Sequence, residues 1–406
     1  MAATDARPGW AVSTRPGVTV HIALLTSISA MFLATSSAPT PLYGVYAQLW
    51  GVSAAATSVV FGAYALALLL ALLVLGRVSD HIGRRTVIWP ALLVQVVAML
   101  VFATAGGVGE LLVGRVLQGL STGAGLAAVG AALLDTDAER GRIANSAAPP
   151  IGSAVGALGS AVLVTFAPMP TRLVYLVFAM VLVLQIVAVS RLPETAPRTP
   201  GAVRSLRPRL HAPRRVLALL GAAVPVLFSV WAVSGLFGAF GPHLAALLTG
   251  SSSPILGALP IAIVGAVAPV VAFSTAGLAG RRSLAYGIAG LLMAVVITAF
   301  SLLLGQMWLL LAGAVVAGIG FGFGFRGAMD LVLPAVDESE RAGTLSLLYI
   351  ASYLGFGVPA IVAGIVLQST GNLTATALGY TVVLALLAAT AAGALRLTGD
   401  SEGTNS

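Results

Sequence analysis

The residues most able to do chemistry in this chain are charged groups set among long apolar runs. The first set lies in residues 76–85, where ten positions carry five ionisable side chains between two such runs. Asp80 precedes Arg84 and Arg85 there, with Arg77 on its other side. A carboxylate so placed can pair with arginine or accept hydrogen bonds from the N-terminus of a helix. The pattern therefore predicts an electrostatic contact that can be made and broken.

A second set of charges falls inside apolar runs. Gln118 follows Arg115 by three residues, and Asp330 follows Arg326 by four, so each pair shares one helical face. An arginine inside a membrane costs about 2.5–3.5 kcal/mol on the mild insertion scale, so Arg115 should face water, a partner or a bundle interior unless it snorkels to the interface. Asp330 is the carboxylate expected to bind a proton, because burial favours the neutral acid. The alternative is an Arg–Asp pair at the membrane rim that only stabilises the bundle.

Four aromatic residues are candidates to line a substrate cavity. They are Trp231, Phe237, Tyr349 and Tyr353. The ring face of Trp231 would suit a flat or cationic compound. The alternative for each of them is packing against lipid or against the protein core.

The elements that must position these residues are membrane helices. Hydrophobic residues make up 58% of the 406 residues, charged residues only 8%, and the mean hydropathy is +1.02. Runs of roughly 20 apolar residues recur along the chain, each long enough to cross the hydrocarbon core as a helix. A lone strand could not satisfy its backbone polar groups in lipid. We therefore predict an all-α membrane protein.

Twelve transmembrane helices in two six-helix repeats are predicted. Glu139 and Glu340 are 201 residues apart, and the same offset relates Gly76 to Gly277. Markers that recur at one offset indicate duplication of a six-span unit. The twelve spans are 18–38, 54–75, 86–105, 109–131, 143–166, 171–190, 216–239, 254–276, 283–304, 307–330, 344–367 and 375–396.

The placement of arginine predicts the topology. All 21 basic residues are arginine; eighteen of them fall in the loops of one side and in the tails, whereas only Arg172 falls on the opposite side. Positive charge marks the cytoplasmic side, so both termini should be cytoplasmic. The predicted segments are a tail at 1–17, a helical bundle at 18–190, a cytoplasmic linker at 191–215, a second bundle at 216–396 and a tail at 397–406.

The loop at 76–85 fits the pattern G-x-x-x-D-x-x-G-R-R. This pattern resembles the signature loop of the major facilitator superfamily of secondary transporters. In that family the loop gates the exchange between conformations and does not select the substrate. The resemblance implies a gating motif of Gly76, Arg77, Asp80, Gly83, Arg84 and Arg85, with Asp135 as a further member of the charge cluster.

Residues 115–119 fit R-x-x-Q-G, which resembles a motif of the 12-span drug–proton antiporter branch of that superfamily. In that branch such an arginine supports coupling or substrate binding. The resemblance makes Arg115 and Gln118 candidate coupling and cavity residues, and the spacing in span ten adds Arg326 and Asp330 to them. The glycine-rich motif of span five is altered at 149–152, which leaves the direction of transport open. Span one holds no acidic residue, so proton coupling would depend on Asp330, Arg115 or another group.

No cofactor or metal site is predicted, and neither an enzyme nor a nucleic-acid partner is expected. The chain has no cysteine and no lysine, which excludes thiolate metal sites and a P-loop lysine. Enzyme-like patterns occur at 119–123 (G-x-S-x-G) and 322–327 (G-x-G-x-x-G), but both lie in apolar runs without the strand that such motifs require. Small residues that let helices pack closely explain them better.

The predicted function is secondary transport by alternating access in a bacterial cytoplasmic membrane. We expect a monomer that exports a small, largely apolar organic compound and is driven by the proton gradient, because few charges face the presumed cavity. One alternative is an importer or facilitator of a sugar or organic acid, since Arg115 and Arg326 could bind an anion. An alternative of another class is a membrane receptor or scaffold that does not transport.

Overall fold

The computed structural model describes residues 16–208, 210–275 and 277–403, and these residues form helices without strands. Most of the predicted tail at 1–17 and the last three residues of the tail at 397–406 therefore lie outside the described residues. The α-helices are α1 (Pro16–Ser37), α2 (Leu42–Trp50), α3 (Ala54–Leu75), α4 (Ser79–Ile82), α5 (Arg84–Thr104), α6 (Val108–Thr136), α7 (Ala138–Phe166), α8 (Leu173–Val189), α9 (Ala202–Ser205), α10 (Leu217–Thr249), α11 (Pro254–Ser274), α12 (Gly280–Leu304), α13 (Met307–Val332), α14 (Glu338–Thr370) and α15 (Leu373–Gly403).

The helices confirm the predicted fold class. In the described part of the chain, eleven helical segments are long and apolar enough to cross a membrane, with α1 and α2 counted as one segment. Helix α8, which has 17 residues, is the shorter twelfth. Helix α10 continues ten residues beyond the predicted end at 239.

Local chemistry explains where several helices begin and end. Pro39 and Pro41 interrupt the first span between α1 and α2, because proline lacks an amide donor and clashes with the preceding turn. Pro242 corresponds to Pro41 at the offset of 201 residues but lies inside the continuous α10. Helix α7 begins earlier than predicted because the Asp137 side chain caps it, accepting a hydrogen bond from the Arg140 amide at 2.9 Å.

Helices α1–α8 form one bundle and α10–α15 the other, and the two meet mainly along α3 with α14 and α7 with α11. The α3–α14 approach lies away from the arginine-rich loops: the Phe61 and Phe356 rings are 4.8 Å apart, and a Cβ at Gly62 would lie 3.2 Å from the Gly357 carbonyl. Within the described residues, no ion pair joins the arginine-rich ends of the two bundles. Packing therefore holds the bundles together at the end opposite those loops.

The glycines of the two enzyme-like patterns serve helix packing. A Cβ at Gly119 would lie 2.5 Å from the Tyr64 carbonyl oxygen, and one at Gly123 would lie 2.5 Å from that of Leu68. In the second bundle, a Cβ at Gly327 would overlap the Leu284 amide nitrogen. Only glycine permits this approach of one helix to another's backbone.

Candidate functional site

The signature loop folds as a turn, the one-turn helix α4 and the start of α5. Gly83 joins α4 to α5 with a φ of 101°, in the region of the backbone map that favours glycine. A Cβ at this position would also overlap the Glu194 carboxylate. Because it has no side chain, Gly83 allows both the sharp turn between α4 and α5 and the close approach of the Glu194 carboxylate to the backbone.

Arg84 is the centre of the charge cluster in this loop. Its Nε donates to Asp135 Oδ2 at 3.0 Å, and its Nη1 donates to Asp80 Oδ1 and to Ser79 Oγ, the latter at 2.9 Å. The Arg84 side chain is 13% exposed and that of Asp80 is 48% exposed. The structure thus brings together the three charged residues that the sequence analysis placed in one motif. All three belong to the first bundle.

Glu194, in the linker after α8, is a member of this site that the sequence analysis missed. Its Oε1 accepts a hydrogen bond from the Arg84 amide at 2.6 Å. A carboxylate at a helix N-terminus is stabilised by the free amides and by the helix dipole. An isolated acid directly after a predicted span was the available signal, but nothing in the sequence places residue 194 beside residue 84.

The linker follows the surface of the loop for several more residues. The Thr195 hydroxyl donates to Asp135 at 3.3 Å, and the Thr199 amide donates to the His81 carbonyl at 2.9 Å. Arg85 Nη1 donates to the Leu192 carbonyl at 2.9 Å. Arg77 contributes its carbonyl, which accepts from the Asp80 amide at 3.2 Å. The first part of the linker is therefore fastened to the first bundle.

Arg115 lies in a buried polar network of the first bundle and is only 1% exposed. Its Nε donates to the Tyr43 hydroxyl at 3.0 Å, and its Nη1 donates to the Ser36 carbonyl and to Gln118 Oε1, both at 2.7 Å. Gln118 Nε2 in turn donates to the Thr35 carbonyl at 2.9 Å. Tyr43 belongs to α2, the short helix that begins after the interruption at Pro39 and Pro41. Arg115 does not snorkel to the interface.

The charge of Arg115 is compensated by neutral groups. Its guanidinium carbon lies 5.6 Å from the ring centre of Tyr43 and 5.4 Å from that of Tyr64, within the range of cation–π contacts. Within the described residues, no carboxylate lies within ion-pair distance of it. The network therefore holds a fixed positive charge inside the membrane.

Trp231 is the centre of an aromatic cluster in the second bundle, near the middle of α10. Its ring centre lies 5.2 Å from that of Phe321, 5.3 Å from that of Tyr353 and 5.6 Å from that of Phe356. Phe356 in turn contacts Phe61 of the first bundle. The Trp231 indole nitrogen has no hydrogen-bond partner among the described residues. The cluster therefore lies where the two bundles meet and offers one free donor.

The other two aromatic candidates differ in their placement. Tyr349 lies one helical turn before Tyr353 on α14 and is partly exposed, so it can share the face of the cluster. Phe237 is fully buried, at 0% exposure, two turns beyond Trp231 on α10. Phe237 therefore packs in the core of the second bundle, and the expectation that it lines a cavity is wrong for this conformation.

Arg326 and Asp330 do pair, with Nε donating to Oδ2 at 2.9 Å. Arg326 also donates to the Ala272 carbonyl at 2.5 Å. The expectation that Asp330 is a buried carboxylate is wrong, because its side chain is 42% exposed and it lies two residues before the end of α13. The pair lies at the arginine-rich rim of the membrane.

His243, in the last third of α10, is a second polar residue that the sequence analysis did not single out. Its Nδ1 is buried and has no hydrogen-bond partner among the described residues. The preceding residue, Pro242, faces the first bundle, since a Cβ at Gly44 would lie 3.7 Å from it. His243 therefore lies beside a contact between the bundles. Of the residues that the structure describes, no cluster of three histidines or carboxylates could hold a metal ion.

Sequence comparison identifies the class of protein. A profile of the Major Facilitator Superfamily matches residues 23–296, which is more than half of the chain. This chain belongs to that superfamily, and it is a multi-pass membrane transporter. No curated protein sequence matches it significantly.

Several solved transporter structures share the fold. A bacterial homolog of the human lysosomal transporter Spinster, in an inward-facing and occupied conformation, has a TM-score of 0.75 at 14% identity, with 94% of this chain and 98% of that chain covered. The POT family transporter PepTSo has a TM-score of 0.72 at 12% identity, with 93% and 98% covered. The nucleoside transporter NupG has a TM-score of 0.67 at 13% identity, with 92% and 98% covered.

Proposed function

We propose that this chain exports a small, largely apolar organic compound by proton-coupled alternating access. The aromatic cluster around Trp231 carries this proposal. It lies midway along the helices and contacts the opposite bundle through Phe356, which is where a substrate of such a transporter would be held. Aromatic faces with one free indole donor favour a compound that has a flat apolar part and a hydrogen-bond acceptor.

The arginine-rich loops indicate how the protein is oriented in the membrane. If they face the cytoplasm, the contacts around Phe61 and Gly62 close the outer end of the cleft between the bundles. Asp80 then pairs with Arg84 within its own bundle and not across the cleft. Closure of the cytoplasmic end would bring the loop against the second bundle, and the first bundle would keep the Arg84 cluster as a rigid unit.

Proton coupling needs a group that titrates near neutral pH. Among the described residues, no carboxylate lies deep in the membrane, because Asp330 is at the rim and the acids of the loop cluster are outside the helices' apolar parts. His243 lies in α10 beside the contact of Pro242 with the first bundle, and its buried Nδ1 has no hydrogen-bond partner among the described residues. Since a free imidazole nitrogen can accept a proton, we propose His243 as the proton-binding residue.

Proton flux in inverted membrane vesicles tests the proposed transport. Cationic, neutral and anionic aromatic compounds are added while an imposed pH gradient is monitored. We expect a neutral or cationic compound to collapse the gradient only in vesicles that contain the protein. His243→Gln should remove this response but retain counterflow of the same compound. Full gradient collapse in that variant would eliminate His243, and no response to any compound would contradict antiport.

Binding at the aromatic cluster is tested separately by tryptophan fluorescence. We expect a transported compound to quench the wild type, and Trp231→Phe to remove most of the ligand-dependent change. Trp231→Ala should weaken binding about two- to tenfold, the range expected for loss of an aromatic contact. Trp308→Phe is the matched control, because Trp308 is 63% exposed at the far end of α13. Unchanged quenching in Trp231→Phe would place the substrate elsewhere.

Uptake or exchange of an organic anion is a second candidate function. The observation that favours it is the positive charge of Arg115, which no described carboxylate neutralises. A positive charge that no carboxylate neutralises raises the local concentration of an anion in a nearby cleft. Counterflow of labelled carboxylates in proteoliposomes separates the two candidates, since an exporter of neutral or cationic compounds would show none.

A further inference from the structure

A groove on the outside of the first bundle has no role in the proposed transport cycle. It lies between α7 and α8, has a volume of about 490 Å³, and has α1 as its floor. Val155 on one wall is 60% exposed and Leu184 on the other is 62% exposed, so the rim is open to the surroundings of the bundle. Helix α8 packs against α1, α5 and α7, all in the first bundle. The groove therefore faces the bilayer and not the cleft between the bundles.

One buried amide lines this otherwise apolar groove. Gln185 is 6% exposed, and its Nε2 donates to the Ser27 hydroxyl at 3.2 Å. The other amide atom, Oε1, is buried and has no hydrogen-bond partner among the described residues. An unsatisfied polar group facing hydrocarbon is costly, because the bilayer core contains no water to pair with it. The groove thus holds one unmet hydrogen bond at a fixed place.

The chemistry of the amide limits what could satisfy it. The Ser27 hydroxyl donates to the Leu24 carbonyl at 2.8 Å, so it accepts from Gln185 Nε2 and the free amide atom is the acceptor Oε1. A hydroxyl group can donate a hydrogen bond to this oxygen. A hydrocarbon chain without a hydroxyl cannot.

The position of Gln185 fits a lipid of the leaflet on the arginine-rich side. It lies four residues before the end of α8, which corresponds to about 6 Å of helix rise. From Leu24 to Ala34 the floor extends about 15 Å along α1, at about 1.5 Å per residue. A hydroxyl near the end of the leaflet's apolar layer could reach Gln185, and an apolar chain attached to it could follow the floor toward the membrane centre.

We propose that this groove is a binding site for a bilayer lipid that carries a free hydroxyl group and a single apolar chain beside it. Gln185 and Ser27 bind the hydroxyl, and the chain lies between Val155 and Val181. The site is independent of the Trp231 cluster, so the proposal does not rest on the substrate proposed above.

Photolabelling with two matched probes tests the site. One probe is a long-chain alcohol with a diazirine in its chain, and the other is the methyl ether of that alcohol, which cannot donate a hydrogen bond. Purified protein in vesicles is labelled with each, and the modified peptides of α7 and α8 are quantified. We expect about fivefold more labelling by the alcohol, which corresponds to a hydrogen bond of about 1 kcal/mol. Equal labelling by the two probes would mean that acyl chains fill the groove without selection and would overturn the proposal.

Variants separate hydroxyl recognition from the shape of the groove. Gln185→Leu should abolish the preference for the alcohol while labelling by the ether is kept, and Ser27→Ala should reduce the preference. Val181→Trp should block both probes. Val183→Trp is its control, because Val183 is 45% exposed on the same helix but does not line the groove. Retention of the preference in Gln185→Leu, in protein that still elutes as a single species, would also refute the site.

Discussion

The two bundles are built on one helical plan but have different interiors. In the first, Arg115 and Tyr43 form a buried polar network. At the offset of 201 residues their counterparts in the second bundle are Val316 and Leu244, which are apolar. Conversely, Trp231 of the aromatic cluster corresponds to Ala30 in the first bundle, a residue of the outer groove.

The difference shows that duplication preserved the helices and not the chemistry between them. Close helix packing needs only small residues at the right places, and both bundles have them. Charge in the membrane interior needs a complete set of partners, which the first bundle supplies and the second does not. We therefore expect substitutions at corresponding positions to have unequal effects.

The largest effect is expected at Arg115. Arg115→Leu leaves the Tyr43 hydroxyl, the Ser36 carbonyl and Gln118 without their donor. Loss of these bonds should cost about 3 kcal/mol or more, because each buried unsatisfied group costs about 1–3 kcal/mol. Thermal unfolding in detergent and transport should both be impaired. The matched change in the second bundle, Val316→Leu, should lower the unfolding temperature far less; equal shifts would break the comparison.

The arginine-rich loops provide the second test. Arg84 binds two carboxylates, one of them Asp80 of its own loop. The corresponding loop of the second bundle is residues 277–282, which contain Arg281 and no acidic residue. Arg84→Ala should slow counterflow about tenfold, since its charged hydrogen bonds are together worth about 1.4 kcal/mol or more. Arg281→Ala should slow it less than about threefold. If Arg281→Ala slowed counterflow more than Arg84→Ala does, the gating role would have to be assigned to the loop of the second bundle.

Removal of the Glu194 carboxylate should have an intermediate effect. Glu194→Gln weakens the cap on α5 by about 0.5–1 kcal/mol, as other capping losses do. We expect a roughly two- to fivefold slower counterflow, and faster proteolysis of the linker at 191–201, which loses an anchor on the loop. Glu139→Gln, in the first turn of α7, is the control for loss of a negative charge on the same side. Identical results for both variants would mean that the effect comes from the loss of a negative charge and not from the loss of the cap on α5.

The smallest effect is expected for Asp80→Asn. The pair with Arg84 is half exposed on the Asp80 side, and such pairs are worth about 0.2–1 kcal/mol. The maximal rate should fall about two- to threefold and KM should change less than about twofold, because the loop is not the substrate site. A large rise in KM at normal turnover would contradict this assignment, since it would place the substrate near the loop.

The helices could be predicted from the sequence because lipid leaves few alternatives for long apolar runs. The ends of the helices were harder to predict, because the same residue type can act differently at two positions. Pro39 and Pro41 break a helix, yet Pro242 remains inside α10. A single proline in a membrane helix is tolerated when neighbouring helices support the turn, and those neighbours are not visible in a local pattern.

The candidate site was predictable where the contacts are local. The pairs Asp80 with Arg84 and Arg326 with Asp330 are each four residues apart and do form. Burial was not predictable in the same way, since Asp330 lies on the expected face but too near the helix end. Glu194 could not be assigned because its partner is 110 residues away.

The fixed charge of Arg115 has a consequence for energetics. A membrane potential acts on every charge inside the bilayer with about 2.3 kcal/mol per 100 mV for a full crossing. Motion of Arg115 through one tenth of the field would therefore be worth about 0.2 kcal/mol per 100 mV. An interior-negative voltage favours whichever conformation carries this arginine nearer the cytoplasm. The resting potential of the cell thus biases the carrier even when it holds no substrate.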